Sequence, residues 1–280
     1  MFICGSCGTQ YGESALPPAH CAICRADARL ESNEPPTWTT LAEIQNRHTN
    51  LIQRVEPHLF SVRPIPALPL GQRALLLRTE HGNILWGCVS VIDDATVRMV
   101  RALGGLAAIA VSHPRHFSSV VEWSHGFGCA PIYVHATSRR WLMRPDPVVR
   151  YWEGTELSLP GNVTLVHIGS YAEGGTLLHW PAAAGGRGAL LTGDVLQVVR
   201  HGNRVGLLSS SQDLVPRSAD GVRTLVSALE RFQYEALYDG WADDGITHDA
   251  RGILLESASA YIRAISGRHD VIDPRCCRIA

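Results

Sequence analysis

From about residue 71 onward the apolar positions fall into short blocks separated by polar and glycine-containing turns, and the block lengths alternate between strand-like and helix-like. Ala74–Arg78 and Ile84–Val89 flank the turn Glu80-His81-Gly82-Asn83 and predict a pair of strands. Residues 94–103 predict a helix. Leu106–Val111 predicts a fully buried strand that stops at Ser112-His113-Pro114. A second helix over about 116–127, a strand at Pro131–His135 and a short helix near 138–143 follow. A β-rich run comes next, at 155–159, 162–168, 176–180, 188–192 and 195–199. In 219–232, Val222, Leu225, Val226 and Leu229 share one helical face. Glu235–Tyr238 then reads as a strand and 247–266 as a final helix. Strands toward the middle with helices at both ends predict a layered α/β sandwich.

The first 70 residues read differently. Thr40-x-x-Glu43 has the spacing of a capping box and predicts a helix over about 40–53. Pro57, Pro64, Pro66 and Pro69 exclude helix beyond it and predict extended chain laid across the next domain. Residues 31–37 (ESNEPPT) read as a linker. The resulting division is a four-cysteine module over 1–34, a linker with a short helix and a Pro-rich segment over 35–70, and the sandwich over 71–280.

Cys4-Gly5-Ser6-Cys7 and Cys21-Ala22-Ile23-Cys24 are two C-x2-C knuckles. Each puts two thiolates on one tight turn, and two such turns complete a tetrahedral site, here expected to hold a structural zinc in a ribbon-like module. A segment this short has too little core to fold alone, so metal binding would supply much of its folding free energy. Iron in a rubredoxin-like site satisfies the same spacing, and so do redox thiol pairs. A closed four-cysteine site leaves no open position for a substrate. Cys88 and Cys129 lie in apolar runs and are expected to be buried packing residues, and Cys276-Cys277 belong to the polar tail.

Composition narrows the chemistry. The chain has 280 residues, and all 25 of its basic Lys+Arg positions are arginine. Without lysine there is no P-loop, no protein-kinase strand lysine and no amine for a Schiff base. A formal net charge of −1 gives no drive toward nucleic acid or an anionic membrane, so the expected partner is a small molecule, with the oligomeric state not legible. No apolar run reaches the roughly 18 residues that span a bilayer, and the N-terminus lacks the regions of a signal peptide; a cytoplasmic protein with reduced thiols is expected.

Three segments fall at strand ends, where α/β sites gather: Ser112-His113-Pro114-Arg115-His116-Phe117, Gly169–Thr176 and Thr192-Gly193-Asp194. Over residues 71–265 these resemble the metallo-β-lactamase-fold hydrolases, and in particular members with an N-terminal cysteine-rich module. The residues that carry the resemblance are Ser112-His113-Pro114, Val121-Glu122-Trp123, Gly174-Gly175-Thr176 with His179-Trp180, and Leu191-Thr192-Gly193-Asp194. The resemblance implies an αββα four-layer sandwich. It also implies a metal site in which His113 matches the first histidine of the family's H-x-H-x-D-H loop and Asp194 the aspartate that follows Thr-Gly. The match then departs from the family. Arg115, Phe117 and Ser118 stand where the second histidine, the aspartate and the last histidine belong, Tyr171 replaces the later histidine, and Tyr238-Asp239-Gly240-Trp241 occupies the place of the final one.

A catalytic zinc uses three protein ligands and one open position. His113 and Asp194 supply two, and His116 supplies a third if the loop turns directly into helix. Arg115, Tyr171 and Trp241 are the expected substrate-binding residues, the Arg115 cation favouring an anion or carboxylate over a metal. Three functions remain open. One is a hydrolase in which hydroxide on a metal at His113, His116 and Asp194 attacks an ester, thioester or lactone, with His113 and Asp194 as the catalytic pair. Another is a non-catalytic binding or interaction protein on a degenerate site. The last is a rubredoxin-like redox protein.

Overall fold

The computed structural model describes residues 1–26, 35–169, 174–199, 204–207, 217–241 and 245–267. Near the N-terminus, β1 (Ile3–Cys4) pairs antiparallel with β2 (Trp38–Thr39), and a single helical turn covers Ala22–Arg25. Thr40 and Glu43 form the expected capping box, but the helix they open stops at Gln45. Residues expected to prolong it form β3 (Thr49–Glu56), which pairs with β4 (Leu59–Ile65). The expectation of a helix over 40–53 and a Pro-rich connection is therefore corrected. The tight turn at Pro57-His58 lets Thr49–Glu56 find a strand partner, and ladder bonds outweigh a short helix. Pro64 is tolerated because it lies beyond Val62↔Ala74, the last pair between β4 and the next strand.

Seven strands then lie side by side in sequence order: β3, β4, β5 (Ala74–Leu77), β6 (Ile84–Trp86), β7 (Ala108–Ala110), β8 (Ile132–His135) and β9 (Val149–Trp152). This sheet begins at Thr49, not at residue 71. A second sheet runs β10 (Glu156–Leu159), β11 (Val163–His167), β12 (Thr176–Trp180), β13 (Ala189–Gly193) and, after the hairpin β14 (Gln197–Val199) and β15 (Arg204–Gly206), β16 (Ala236–Asp239). Neither β9 nor β15 is signalled by the hydrophobic pattern, since both carry polar or charged residues at alternate positions and are short.

Alternation along the strands builds the layers. Leu75 and Leu77 of β5, Leu178 and Trp180 of β12 and Leu191 of β13 meet between the two sheets. Leu76 and Leu85 face the other way, onto Val100 of the helix Asp94–Ala102 and onto Val120, Val121 and Trp123 of the helix Val120–Gly126. Leu177, Leu190 and Leu237 face the helices Ala219–Leu229 and Ala250–Ile265 through Val222, Leu225, Leu229 and Leu254. Helix, sheet, sheet, helix is the expected αββα order. Trp123, Trp152 and Trp180 are all buried, and His135 stacks on His167 at 3.6 Å, both as structural residues. Cys88 is buried as expected, whereas Cys129 is exposed at a left-handed turn (φ 63°) just past a helix end.

Leu178 is fully enclosed between the sheets. Leu178→Ala should lower stability by about 3 kcal/mol through lost burial and a residual cavity, read as a shift in the urea midpoint without a change in slope.

Candidate functional site

Three strands deliver the candidate site at their C-terminal ends: β7 leads to Ser112–His116, β13 to Asp194, and β16 to Gly240-Trp241. Gly193 is left-handed (φ 54°), and a Cβ there would collide with Ser112, so the turn that presents Asp194 is packed directly onto the first loop. Thr192 Oγ1 donates to Leu196 O at 2.7 Å and closes that turn.

The first loop does not run straight into helix. His113 caps a 3-10 turn over Pro114–His116, its Nδ1 accepting from Arg115 N at 3.4 Å. Ser118 is left-handed (φ 44°), and the helix begins only at Val120. The expected helix over 116–127 is thus split by the turn that buries the loop.

His113, Arg115, His116 and Asp194 are each at most 2% exposed. The Arg115 guanidinium forms an ion pair with Asp194 Oδ2. His113 Nδ1 lies 3.5 Å from the same oxygen, and Trp241 Nε1 donates to Asp194 Oδ1 at 3.1 Å. The expectation that Arg115 would attract a carboxylate is met inside the protein. Its carboxylate is Asp194, and Trp241, also expected to bind substrate, contacts that same group. Tyr171 lies outside the described residues, as do Glu173 and the Cys276-Cys277 tail. Asp239 accepts from Trp241 N (3.0 Å) and Val198 N (2.8 Å), fixing the loop that carries Trp241.

His116 sits beside Trp241, ring centroids 5.3 Å apart, and neither of its nitrogens has a hydrogen-bond partner among the described residues. Burial holds its pKa down at about 4, helped by His113 and Arg115 and opposed by Asp194, so the ring is neutral at pH 7. Proximity of residue types is therefore present, but convergence on a cation is not. Among the described residues, the group of three or more ligand-type side chains whose donor atoms come together is the four cysteines. His113, His116 and Asp194 do not fit a metal while Arg115 holds the carboxylate.

The cysteines do fit one. Cys4 and Cys24 sulfurs are 3.6 Å apart, Cys7 and Cys21 sulfurs 3.5 Å, and all four lie within 4.8 Å of one another with no disulfide among them. Tetrahedral thiolates about 2.3 Å from an ion stand roughly 3.8 Å apart. Thiol hydrogen bonds from Cys24, Cys4 and Cys7 hold the Cys21 sulfur below the ordinary thiol range, while the same contacts push the Cys7 and Cys24 thiols up. Tyr11, Trp38, Leu70 and Trp141 pack around the cluster.

This module is bound to the sandwich near the candidate site. Ser90 Oγ donates to Gly8 O (2.8 Å), Gln10 N to Ser118 O (3.1 Å), and Gln10 Nε2 to Glu122 Oε1 (3.0 Å). Arg144 donates to Gln10 Oε1 (2.6 Å) and Glu122 Oε1 (2.5 Å). Sequence reasoning missed this cross-link because the partners are far apart in the chain and none belongs to a motif.

The layered sandwich has the metallo-β-lactamase fold. Among solved structures it is similar to the DIM-1 metallo-β-lactamase exposed to ceftazidime, at TM-score 0.56 and 13% identity, covering 77% of this chain and 97% of that one. It is also similar to the FIM-1 metallo-β-lactamase of Pseudomonas aeruginosa in its mono-zinc form, at TM-score 0.54 and 11% identity, covering 78% and 99%. A B3 metallo-β-lactamase with an active-site glutamic acid matches at TM-score 0.52 and 14% identity, covering 83% and 97%. No family model matches the chain. The chain belongs to the family of the uncharacterized protein YmaE of Bacillus subtilis (strain 168), with which it is 33% identical over 267 residues, 95% of this chain and 97% of that one. No helix among the described residues is long and apolar enough to cross a membrane.

Two outcomes follow from the ion pair and the neutral histidine. Arg115→Ala strands a buried carboxylate and should cost about 3–5 kcal/mol, while Arg115→Met combined with Asp194→Leu should recover most of that loss; urea midpoints of the two variants check it. For His116, an unfolded chain takes a proton near the ordinary 6.5 that the folded chain refuses until about 4. Stability should therefore fall as pH drops from about 6.5 to 4, with this residue contributing on the order of 3 kcal/mol. His116→Gln should show a flatter stability–pH curve over that window.

Proposed function

We propose that this chain is a non-catalytic member of the fold: a metal-stabilised binding protein whose former reaction centre is closed by an internal salt bridge. The observation that carries the reading is the Arg115 guanidinium on Asp194. A hydrolase of this fold needs that carboxylate on a metal and an open position beside it. Here the carboxylate is neutralised by a permanent cation, its second oxygen is held by Trp241, and the whole group is buried. The bound partner in this reading is a small molecule, the location cytoplasmic, and the metal of the N-terminal module a structural zinc in a ribbon-like arrangement, the composition and the sulfur spacing supporting these choices.

The hydrolase reading has one observation in its favour. His116 is neutral, buried and unpartnered, which is the state of a histidine ready to bind a metal. For it to do so, Arg115 would have to leave Asp194.

Metal content of the purified protein separates the two. We expect about one zinc per chain, without a visible iron–thiolate band. It should be lost in Cys4→Ser or Cys21→Ser and retained in His113→Ala and Asp194→Ala. A second metal equivalent that disappears in Asp194→Ala, together with ester or lactone turnover by the wild-type chain alone, would establish the hydrolase instead.

A further inference from the structure

The four clustered cysteines are not equivalent. Cys4, Cys7 and Cys21 are buried, whereas Cys24 keeps partial exposure. Cys24 lies in the four-residue helix Ala22–Arg25, which has no side-chain cap at its N-terminus. Its sulfur contact is with Cys4, 3.6 Å away and 20 positions earlier, on the other knuckle. Cys4 in turn ends the two-residue strand β1. The thiolate that a dissolved reagent meets first therefore has its sulfur neighbour on a different turn of the chain.

That separation suits two states. Thiolates held about 2.3 Å from one ion stand roughly 3.8 Å apart. Joined sulfurs stand about 2.05 Å apart, so a Cys4–Cys24 bond needs the pair to close by roughly 1.5 Å. Little local structure resists such a movement, since a single helical turn and a two-residue strand depend on their surroundings for stability. Thiolates with solvent access are the ones that peroxides oxidise, and a neighbouring thiolate resolves the product to a disulfide.

We propose that the cysteine cluster is an oxidative modification site, at which a peroxide converts Cys24 and Cys4 to a disulfide joining the two knuckles and so removes two of the four metal ligands. The Cys24 thiolate attacks a peroxide oxygen; an S–O bond forms, the O–O bond breaks and hydroxide leaves. The Cys4 thiolate then attacks the Cys24 sulfur; the S–S bond forms, the S–O bond breaks and a second hydroxide leaves. The two thiolates give up two electrons in all, and the peroxide, with two protons from solvent, ends as two waters. In the reducing compartment proposed above, a dithiol returns Cys4 and Cys24 to thiolates by exchange, as befits a transient disulfide. This deepens the reading of a metal-stabilised protein and rests on its metal assignment. The metal content of the untreated chain tests that assignment, whereas release on oxidation tests the modification.

The test uses the zinc-loaded full chain carrying Cys129→Ser, Cys276→Ser and Cys277→Ser, which removes competing thiols. Hydrogen peroxide is added and metal release is followed with a chromophoric chelator. About two thiols should be lost for each metal released, and dithiothreitol with added zinc should restore both. Cleavage after Glu13 separates the knuckles, and mass spectrometry should find the two peptides joined from Cys4 to Cys24. Cys24→His keeps a tetrahedral ligand set but removes the exposed thiol, and should slow release about tenfold. If that variant does not hold metal, the peptide map alone decides. Zinc retained under peroxide, release without a disulfide, a bond within one knuckle or between Cys7 and Cys21, or a metal-loaded Cys24→His variant that releases as fast as its parent would each overturn the proposal.

Discussion

Asp194 is a carboxylate with almost no exposure, set at the end of an interior strand by a left-handed glycine and a closed turn. A charge in that position must be matched by another, since an unpaired buried ion costs several kcal/mol even after relaxation. In this chain the match is a guanidinium from the neighbouring loop. That one requirement organises what surrounds it. It draws Arg115 inward, places His113 as the cap of the tight turn that makes the inward course possible, and leaves Trp241 to satisfy the other oxygen. The loops that follow these strands are thereby packed against one another.

The cysteine module supplies a second constraint from the opposite side. It is too small to make an independent core, and it is fastened to the sandwich at several points, Gln10 on Ser118 and Glu122 and Gly8 on Ser90. Gln72 then joins Ser118 to the backbone of Arg115. A metal that orders the two knuckles therefore also helps order the chain carrying the buried arginine. The physical content is a continuous set of hydrogen bonds, three of which pin backbone: Gln10 N on Ser118 O, Ser90 Oγ on Gly8 O and Gln72 Nε2 on Arg115 O.

Much of the fold was legible because burial on alternate faces leaves a period in the sequence. Blocks such as Ala74–Leu77 and Ala189–Gly193 have little choice but to lie between layers. The cysteine spacing was legible for the same kind of reason, since two thiolates on one turn constrain the fourth-neighbour geometry directly. What escaped was decided at a distance. Thr49–Glu56 has no strong preference of its own and became a strand because Leu59–Ile65 was available to pair with it. Arg144 is held by Glu122 and Gln10, which come from separate parts of the chain. In the candidate site the residue types were readable in the sequence. The partner of Arg115 was not readable, because 79 positions separate Arg115 from Asp194 and only the closure of the sandwich brings them together.

The departures from the family's ligand pattern are not simple losses. Arg115 has become the counter-ion of Asp194. Phe117 is 2% exposed and packs in the helix-side core with Val120, Val121 and Trp123. Ser118 accepts from Gln72, donates to Cys88 O at 3.3 Å, and takes the left-handed turn that lets the chain meet Gln10. Arg115, Phe117 and Ser118 each carry a structural role of their own. Putting a histidine back at 115 would leave Asp194 short of its cation, and an aspartate at 117 would bury a charge in an apolar cluster. The three side chains contribute through different interactions, an ion pair, apolar packing and a hydrogen-bonded turn, so a polar or charged replacement at any one of them should destabilise the fold.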